Sequence, residues 1–221
     1  MGLRAEYIRK GTKWDQIERN REEMIKICPN TDFYVSATVS LYNAIHIVDF
    51  HRDWVEKGFL KPADWNINIL QHPDRERIDV LPQIYKDQIK EKIEEHIAWL
   101  EPQDHLRRAV SGYQGIINFM QHDRSRLLNE FFKINDKSDA YRNEIFEDVF
   151  PEYINLRYYS NLRDSITEQE FKHFEQALEL KIKAAVDSKL ETKFGEFIAK
   201  LHDDNGQHYA HMIYQHVKKW V

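Results

Sequence analysis

Two short segments of the chain alternate apolar and polar residues with the period of a β-strand. Over residues 33–41 the odd positions are apolar and the even positions carry hydroxyl groups, at Tyr34, Ser36, Thr38 and Ser40. Residues 65–69 repeat the pattern, with amides at Asn66 and Asn68. Because successive side chains of a strand point to opposite faces, the pattern predicts two strands, each with one polar and one apolar face.

A helix is predicted between these strands. Apolar residues recur there at helical spacing, at Ile47, Phe50, Trp54 and Val55. Asn43 can cap the helix and Gly58 can end it. A helix between two strands implies a parallel pair with a right-handed crossover. Parallel strands usually bury both faces, so the polar face predicts a ligand-lined cavity such as a barrel lumen. The alternative is an antiparallel pair with one solvated face.

The remaining pattern is helical. Helices are predicted over 14–28, from Pro82 to Pro102, and over 104–133, where a break at Gly112 or Gly115 is left open. A long amphipathic stretch over 168–202 predicts a coiled-coil arm or a bent hairpin, and its apolar stripe predicts self-association or a protein partner.

The predicted fold class is therefore α/β to mostly α, in three regions. Residues 1–82 would form the C-terminal part of a partial parallel (β/α) barrel. A helical accessory region follows over 83–160, and a long-helix C-terminal region over 161–221.

Composition limits the classes of function. The 221 residues carry 32 basic and 37 acidic side chains, a net charge of −5, which is not the basic footprint of a nucleic-acid-binding protein. No apolar run approaches the roughly 20 residues of a membrane span, and no signal peptide is evident at the start, so a cytoplasmic location is predicted. Cys28 is the single cysteine. This excludes an internal disulfide and an iron–sulfur cluster bound by cysteines of this chain alone.

Few residues form a pattern with evident chemistry. His208 and His211 lie three positions apart, close enough on a helix to share a metal ion. A solvated helix with ordinary histidines is the preferred explanation, and no metal site is predicted. His46, Asp49 and Asp53 are interpreted in the same way, as polar residues of an exposed helix face.

Several segments together resemble the radical S-adenosylmethionine enzymes, in particular phage and bacterial members with a small twitch domain. The resemblance covers about residues 2–157. It rests on residues 4–14, Thr38-Val39-Ser40-Leu41-Tyr42-Asn43, Asn68-Ile69-Leu70-Gln71-His72-Pro73, residues 78–82, and Phe146-x3-Phe150-Pro151-Glu152. The second and third segments resemble the fifth and sixth barrel strands of that family.

The resemblance implies a cofactor and a set of contacts. S-adenosylmethionine or the substrate would be faced by six polar residues: Ser36, Thr38, Ser40, Asn43, Asn66 and Asn68. The family's Cys-x3-Cys-x2-Cys loop, which holds the iron–sulfur cluster, is absent from this sequence. The chain is therefore expected to be a truncated, phage-encoded family member, inactive by itself. The alternative is a non-enzymatic helical protein, such as a phage accessory or virion-associated factor.

Overall fold

The computed structural model describes residues 2–165 and the isolated positions 167, 169 and 176. The part of the chain that it describes is mostly helical. Its helices and strands follow in the order α1 (Gly2–Ile8), α2 (Trp14–Ile27), β1 (Val35–Val39), α3 (Ile47–Glu56), β2 (Trp65–Ile69), α4 (Gln83–Leu100), α5 (Arg108–Phe119), α6 (Leu128–Arg142), α7 (Phe146–Val149) and α8 (Leu156–Ser165).

The two strands form a parallel pair, as the sequence predicts. Their register aligns Val35 with Trp65 and Val39 with Ile69, and α3 lies between them in the chain. The antiparallel alternative is therefore wrong. Gly58 follows the last turn of α3 with a φ of +71°, a left-handed conformation that favours glycine. Its amide donates to the carbonyl of Val55, which closes the helix as predicted.

The apolar face of the sheet is covered by α3 and α5. Trp65 of β2 is 1% exposed, and its ring stacks on His51 of α3 with the centroids 4.3 Å apart. Helix α5 runs without interruption through Gly112 and Gly115, so the break considered at either glycine does not occur. Both glycines instead face β2, Gly112 against Ile67 and Gly115 against Ile69. The helix predicted over 104–133 is two helices, because the chain turns between α5 and α6.

Helix α2 is less covered than its apolar stripe suggests. None of its residues is buried, although the ring of Trp14 packs edge-on against Phe50, with the centroids 5.5 Å apart. Ile17 and Ile27 are exposed. Within residues 2–165 the sheet has only the two strands β1 and β2, so the coarse mostly helical class holds and a barrel remains a proposal.

The chain divides into two compact units, Met1–Glu152 and Tyr153–Val221. The first contains both strands and all the sites discussed below. The described part of the second includes α8. The region boundaries predicted at 82 and 160 stay predictions. The arm over 168–202 lies outside the described residues, apart from positions 169 and 176. Among the helices that are described, none is long and apolar enough to cross a membrane.

Candidate functional site

Four of the six predicted contact residues form one exposed polar row. The register places Ser36 beside Asn66 and Thr38 beside Asn68, and all four side chains are exposed. The Nδ2 groups of Asn66 and Asn68 donate to the Oγ of Ser36, at 3.3 and 2.8 Å. The row therefore presents hydroxyl and amide groups on the sheet face opposite α3 and α5.

Asn43 and Ser40 are placed differently. The backbone groups of Val35 and Val39 bond to β2, so those of the intervening even positions point to the other edge of β1. At that edge the Asn43 amide accepts a hydrogen bond from the Ser40 N–H and donates one to the Thr38 carbonyl, both at 2.9 Å. Asn43 makes no side-chain hydrogen bond as a helix cap, so the predicted capping is wrong. Ser40 is buried.

A cavity of about 200 Å³ lies where both strands end. Tyr42 lines it just after β1, and Arg75 and Glu76 line it from the turn after β2. The Leu41 N–H donates to the Glu76 carbonyl at 2.8 Å and so ties the two strand exits together. Helices α1 and α6 supply the other walls. Ligands of parallel α/β sheets bind beyond the carboxyl ends of the strands, and this cavity has that position.

Buried hydrogen bonds hold the wall of the cavity in place. The hydroxyl of Tyr7 donates to Asp139 at 2.6 Å and accepts from Asn135 at 2.8 Å, while Tyr42 donates to Asn135 at 3.0 Å. Burial raises the pKa of Tyr7 and of Tyr42 well above the usual value, and for Tyr7 the bond to Asp139 adds to the effect. Both phenols therefore stay neutral and serve as fixed hydrogen-bond groups.

Charged groups remain at the cavity surface. Arg75 lies 3.5 Å from Glu76 and 3.7 Å from Glu130, both longer than a hydrogen bond. Burial raises the pKa of Glu76, and Arg75 acts against that shift. The Nη1 of Arg142 donates to the Tyr7 carbonyl at 3.1 Å. The cavity thus combines aromatic walls with both signs of charge.

A histidine relay lies on the opposite, apolar side of the sheet. Arg52 donates to the Nδ1 of His96 at 3.1 Å, and the Nε2 of His96 lies 2.9 Å from the Nδ1 of His51. Since a guanidinium only donates, His96 carries its proton on Nε2 and His51 accepts. Both rings are fully buried, and burial lowers the pKa of His51 to about 4 and that of His96 to about 3.

The sequence patterns above do not predict this relay, although the sequence contains a signal for it. His51 occurs at the apolar positions of α3, four after Ile47 and three before Trp54, and His96 follows Ile93 by three. A histidine on an apolar stripe indicates a buried polar group that needs a partner. The relay is enclosed by the core and is best explained as structural.

His46 has carboxylate partners on both ring nitrogens. Its Nε2 lies 2.5 Å from Glu152 and its Nδ1 3.2 Å from Asp49, and Arg4 also pairs with Glu152 at 2.9 Å. Although burial acts to raise it, hydrogen bonds from His46 and Arg4 lower the pKa of Glu152 to about 2. Arg4 and His46 contact Glu152 from two sides, and this network joins α1 to the start of α3.

No group of three or more His, Cys, Asp or Glu side chains is placed to hold a metal ion within the described part of the chain. His208 and His211 lie outside the described residues. Comparison of the sequence and structure with protein-family models, curated proteins and solved structures gives no match.

Proposed function

We propose that this chain is the C-terminal part of a radical S-adenosylmethionine protein and contributes two neighbouring strands to its (β/α) barrel. The observation that carries the proposal is the division of the sheet into two faces. Helices cover the apolar face, while the other face exposes Ser36, Thr38, Asn66 and Asn68. In a (β/α) barrel the helices lie outside and the inward-pointing side chains line the interior.

The edge of β1 that faces away from β2 gives further support, because no strand of residues 2–165 pairs with it. The chain runs helix, strand, helix, strand, so α2 precedes β1 as α3 precedes β2. A further parallel strand at this edge would replace the bonds of Asn43 to Ser40 and Thr38 and would need a helix packed on it, for which α2, without a buried residue, is available. A two-stranded sheet needs further strands or packing against helices to be stable. A strand from another part of a longer protein, or from a second chain, would complete both the sheet and the helix packing.

The four polar side chains of the row can bind S-adenosylmethionine. The chain lacks the cysteines that bind the family's iron–sulfur cluster. Hydroxyl and amide groups can bond to the ribose hydroxyls and the adenine edge of the cofactor. The family's cluster needs three cysteine thiolates, whereas this chain has only Cys28, which is exposed. The cluster therefore does not fit this chain, and any cluster of the complete protein would be bound by residues outside it.

The gene region upstream of the Met1 codon tests the proposal first. An in-frame extension that encodes Cys-x3-Cys-x2-Cys is the expected result. A stop codon directly upstream, with no neighbouring gene that encodes the cluster-binding half, would contradict the proposal.

Cofactor binding tests it next, in the longer protein. Thr38→Val and Asn68→Leu should each weaken S-adenosylmethionine binding in equilibrium dialysis by roughly tenfold, the equivalent of about 1.4 kcal/mol. Both positions are exposed, so melting should stay within about 1 kcal/mol of the wild type. Lys90→Gln, an exposed change on α4, is the control. Destabilisation by both variants with unchanged cofactor affinity would show that these groups serve the fold.

A non-enzymatic interaction protein is the second candidate, and α2 favours it. Ile17 is 37% exposed and Ile27 is 69% exposed on a helix without a buried residue. Such a face can dock on a partner protein instead of a barrel strand. In that case the upstream region would encode no cysteine motif, and Ile17→Asp would abolish partner binding without changing the melting of the isolated chain.

A further inference from the structure

We infer that the cavity beyond the strand ends binds a small zwitterion with an apolar body, the chemistry of an α-amino acid, between Glu76 and Arg142. The inference rests on the contacts of this cavity alone. It does not depend on the assignment to the radical S-adenosylmethionine family.

Arg142 supplies the site for a carboxylate. One of its N–H groups is used by the Tyr7 carbonyl. Among residues 2–165 no carboxylate forms an ion pair with its guanidinium. The remaining N–H groups can bind a carboxylate in the bidentate geometry that arginine favours.

Glu76 supplies the site for an ammonium group. Its carboxylate is half-buried, and within the described part of the chain its nearest cation is the Arg75 guanidinium at 3.5 Å, beyond hydrogen-bond distance. A partly desolvated carboxylate without a close donor is costly, and burial raises its pKa accordingly. An ammonium ligand would remove that cost by donating to it.

The walls of the cavity favour a ligand with an apolar body between its two charged groups. Phe131 is buried, and Ile8 and Ile134 border the opening. The polar groups of Tyr7, Tyr42 and Asn135 are already engaged with one another and with Asp139. They therefore give the cavity shape rather than further ligand contacts. A volume of about 200 Å³ suits one leucine-, methionine- or phenylalanine-sized ligand.

Calorimetric titration of the whole chain with matched ligands tests the inference. L-Leucine and L-phenylalanine are compared with the amines that lack the carboxylate, isoamylamine and phenethylamine. They are also compared with the acids that lack the amine, 4-methylpentanoate and 3-phenylpropionate. The amino acids should bind tightest. Loss of either charged group should weaken binding roughly tenfold, as expected for a charged hydrogen bond.

Two variants assign the charges. Glu76→Gln should weaken binding of the amino acids and the amines but leave binding of the acids unchanged. Arg142→Gln should weaken binding of the amino acids and the acids but leave binding of the amines unchanged. Lys133→Gln, an exposed change on α6, is the matched control. If Arg142→Gln unfolds the chain through loss of the Tyr7 contact, Ile134→Trp provides the second variant, since it fills the opening and leaves both charges in place.

Three outcomes would overturn the inference. The first is no binding of any amino acid at millimolar concentration. The second is binding that neither Glu76→Gln nor Ile134→Trp weakens. The third is equal binding of acids and amino acids, because that would show a simple anion site at Arg142.

Discussion

Gly112 of α5 and Ile67 of β2 are in direct contact, with less room between them than a methyl group normally has. A β-carbon at position 112 would lie 3.0 Å from the Cβ of Ile67 and 3.2 Å from its Cγ1 and Cδ1. At Gly115, one turn later, a β-carbon would lie 4.0 Å from the Cδ1 of Ile69, an ordinary van der Waals distance. The close approach of the helix to the sheet is thus set at position 112.

This contact predicts opposite effects for the same substitution at the two glycines. Gly115→Ala should raise the unfolding free energy by up to about 1 kcal/mol, because alanine is the better helix former. Gly112→Ala should lower it, and Gly112→Val should lower it by roughly 1–3 kcal/mol or more, because the helix must move off the sheet. Urea denaturation measures all three. A stabilising Gly112→Ala would show that Ile67 can rotate away.

The buried histidine relay predicts loss of stability in mild acid. Both pKa values are lowered in the folded state, so between pH 6.5 and about 4 the unfolded chain binds more protons than the folded chain. The unfolding free energy should therefore fall as the pH falls through this window. The slope should be about 1.4 kcal/mol per pH unit for each histidine. The contribution of His51 should end below about pH 4 and that of His96 below about pH 3, where each is protonated in the folded chain as well.

Variants separate this effect from other acid titrations. His51→Phe removes one member of the relay and should reduce the slope between pH 6 and about 4.5 by roughly half, whatever its effect on absolute stability. His105→Gln, at an exposed position, should leave the slope unchanged. Equal slopes for the wild type and His51→Phe would mean that the histidines do not titrate on unfolding.

The hydrogen bonds of Asn43 at the edge of β1 predict that replacing this residue destabilises the fold. Asn43→Ala removes its bonds to Ser40 and Thr38 and should lower the unfolding free energy by about 1–2 kcal/mol. Asn43→Asp should not restore it, because a carboxylate would then face the Thr38 carbonyl. Asn66→Ala, on the exposed row, should change stability by less than about 0.5 kcal/mol. Equal melting of the Asn43 and Asn66 variants would argue against the edge role.

Because Cys28 is the single cysteine, reconstitution of an iron–sulfur cluster in this chain should fail. One thiolate cannot replace the three that the family's cluster uses. Anaerobic incubation of this chain with iron and sulfide should therefore leave no stoichiometric absorbance of a four-iron cluster after desalting. The variant Cys28→Ser should give the same spectrum. A stable cluster in the wild type that is lost in Cys28→Ser would show that several chains share their cysteines.

Local sequence patterns were enough to predict β1, β2 and the end of α3. Alternation over 33–41 and 65–69 identifies both strands and their polar faces, because a strand repeats every two residues whatever surrounds it. Gly58 marks the end of α3 for an equally local reason, since the left-handed turn is a property of one residue. The parallel pairing then follows from the helix between the strands.

Contacts between distant positions were decided only by the tertiary structure. Gly112 has the same sequence signature as a helix break, and only the packing against Ile67 shows it to be a contact. His51 and His96 lie 45 positions apart, and the cavity gathers Tyr7, Glu76 and Arg142 from three separate elements. Such pairings leave no periodic trace in the chain, because they depend on how the helices pack on the sheet rather than on local conformation.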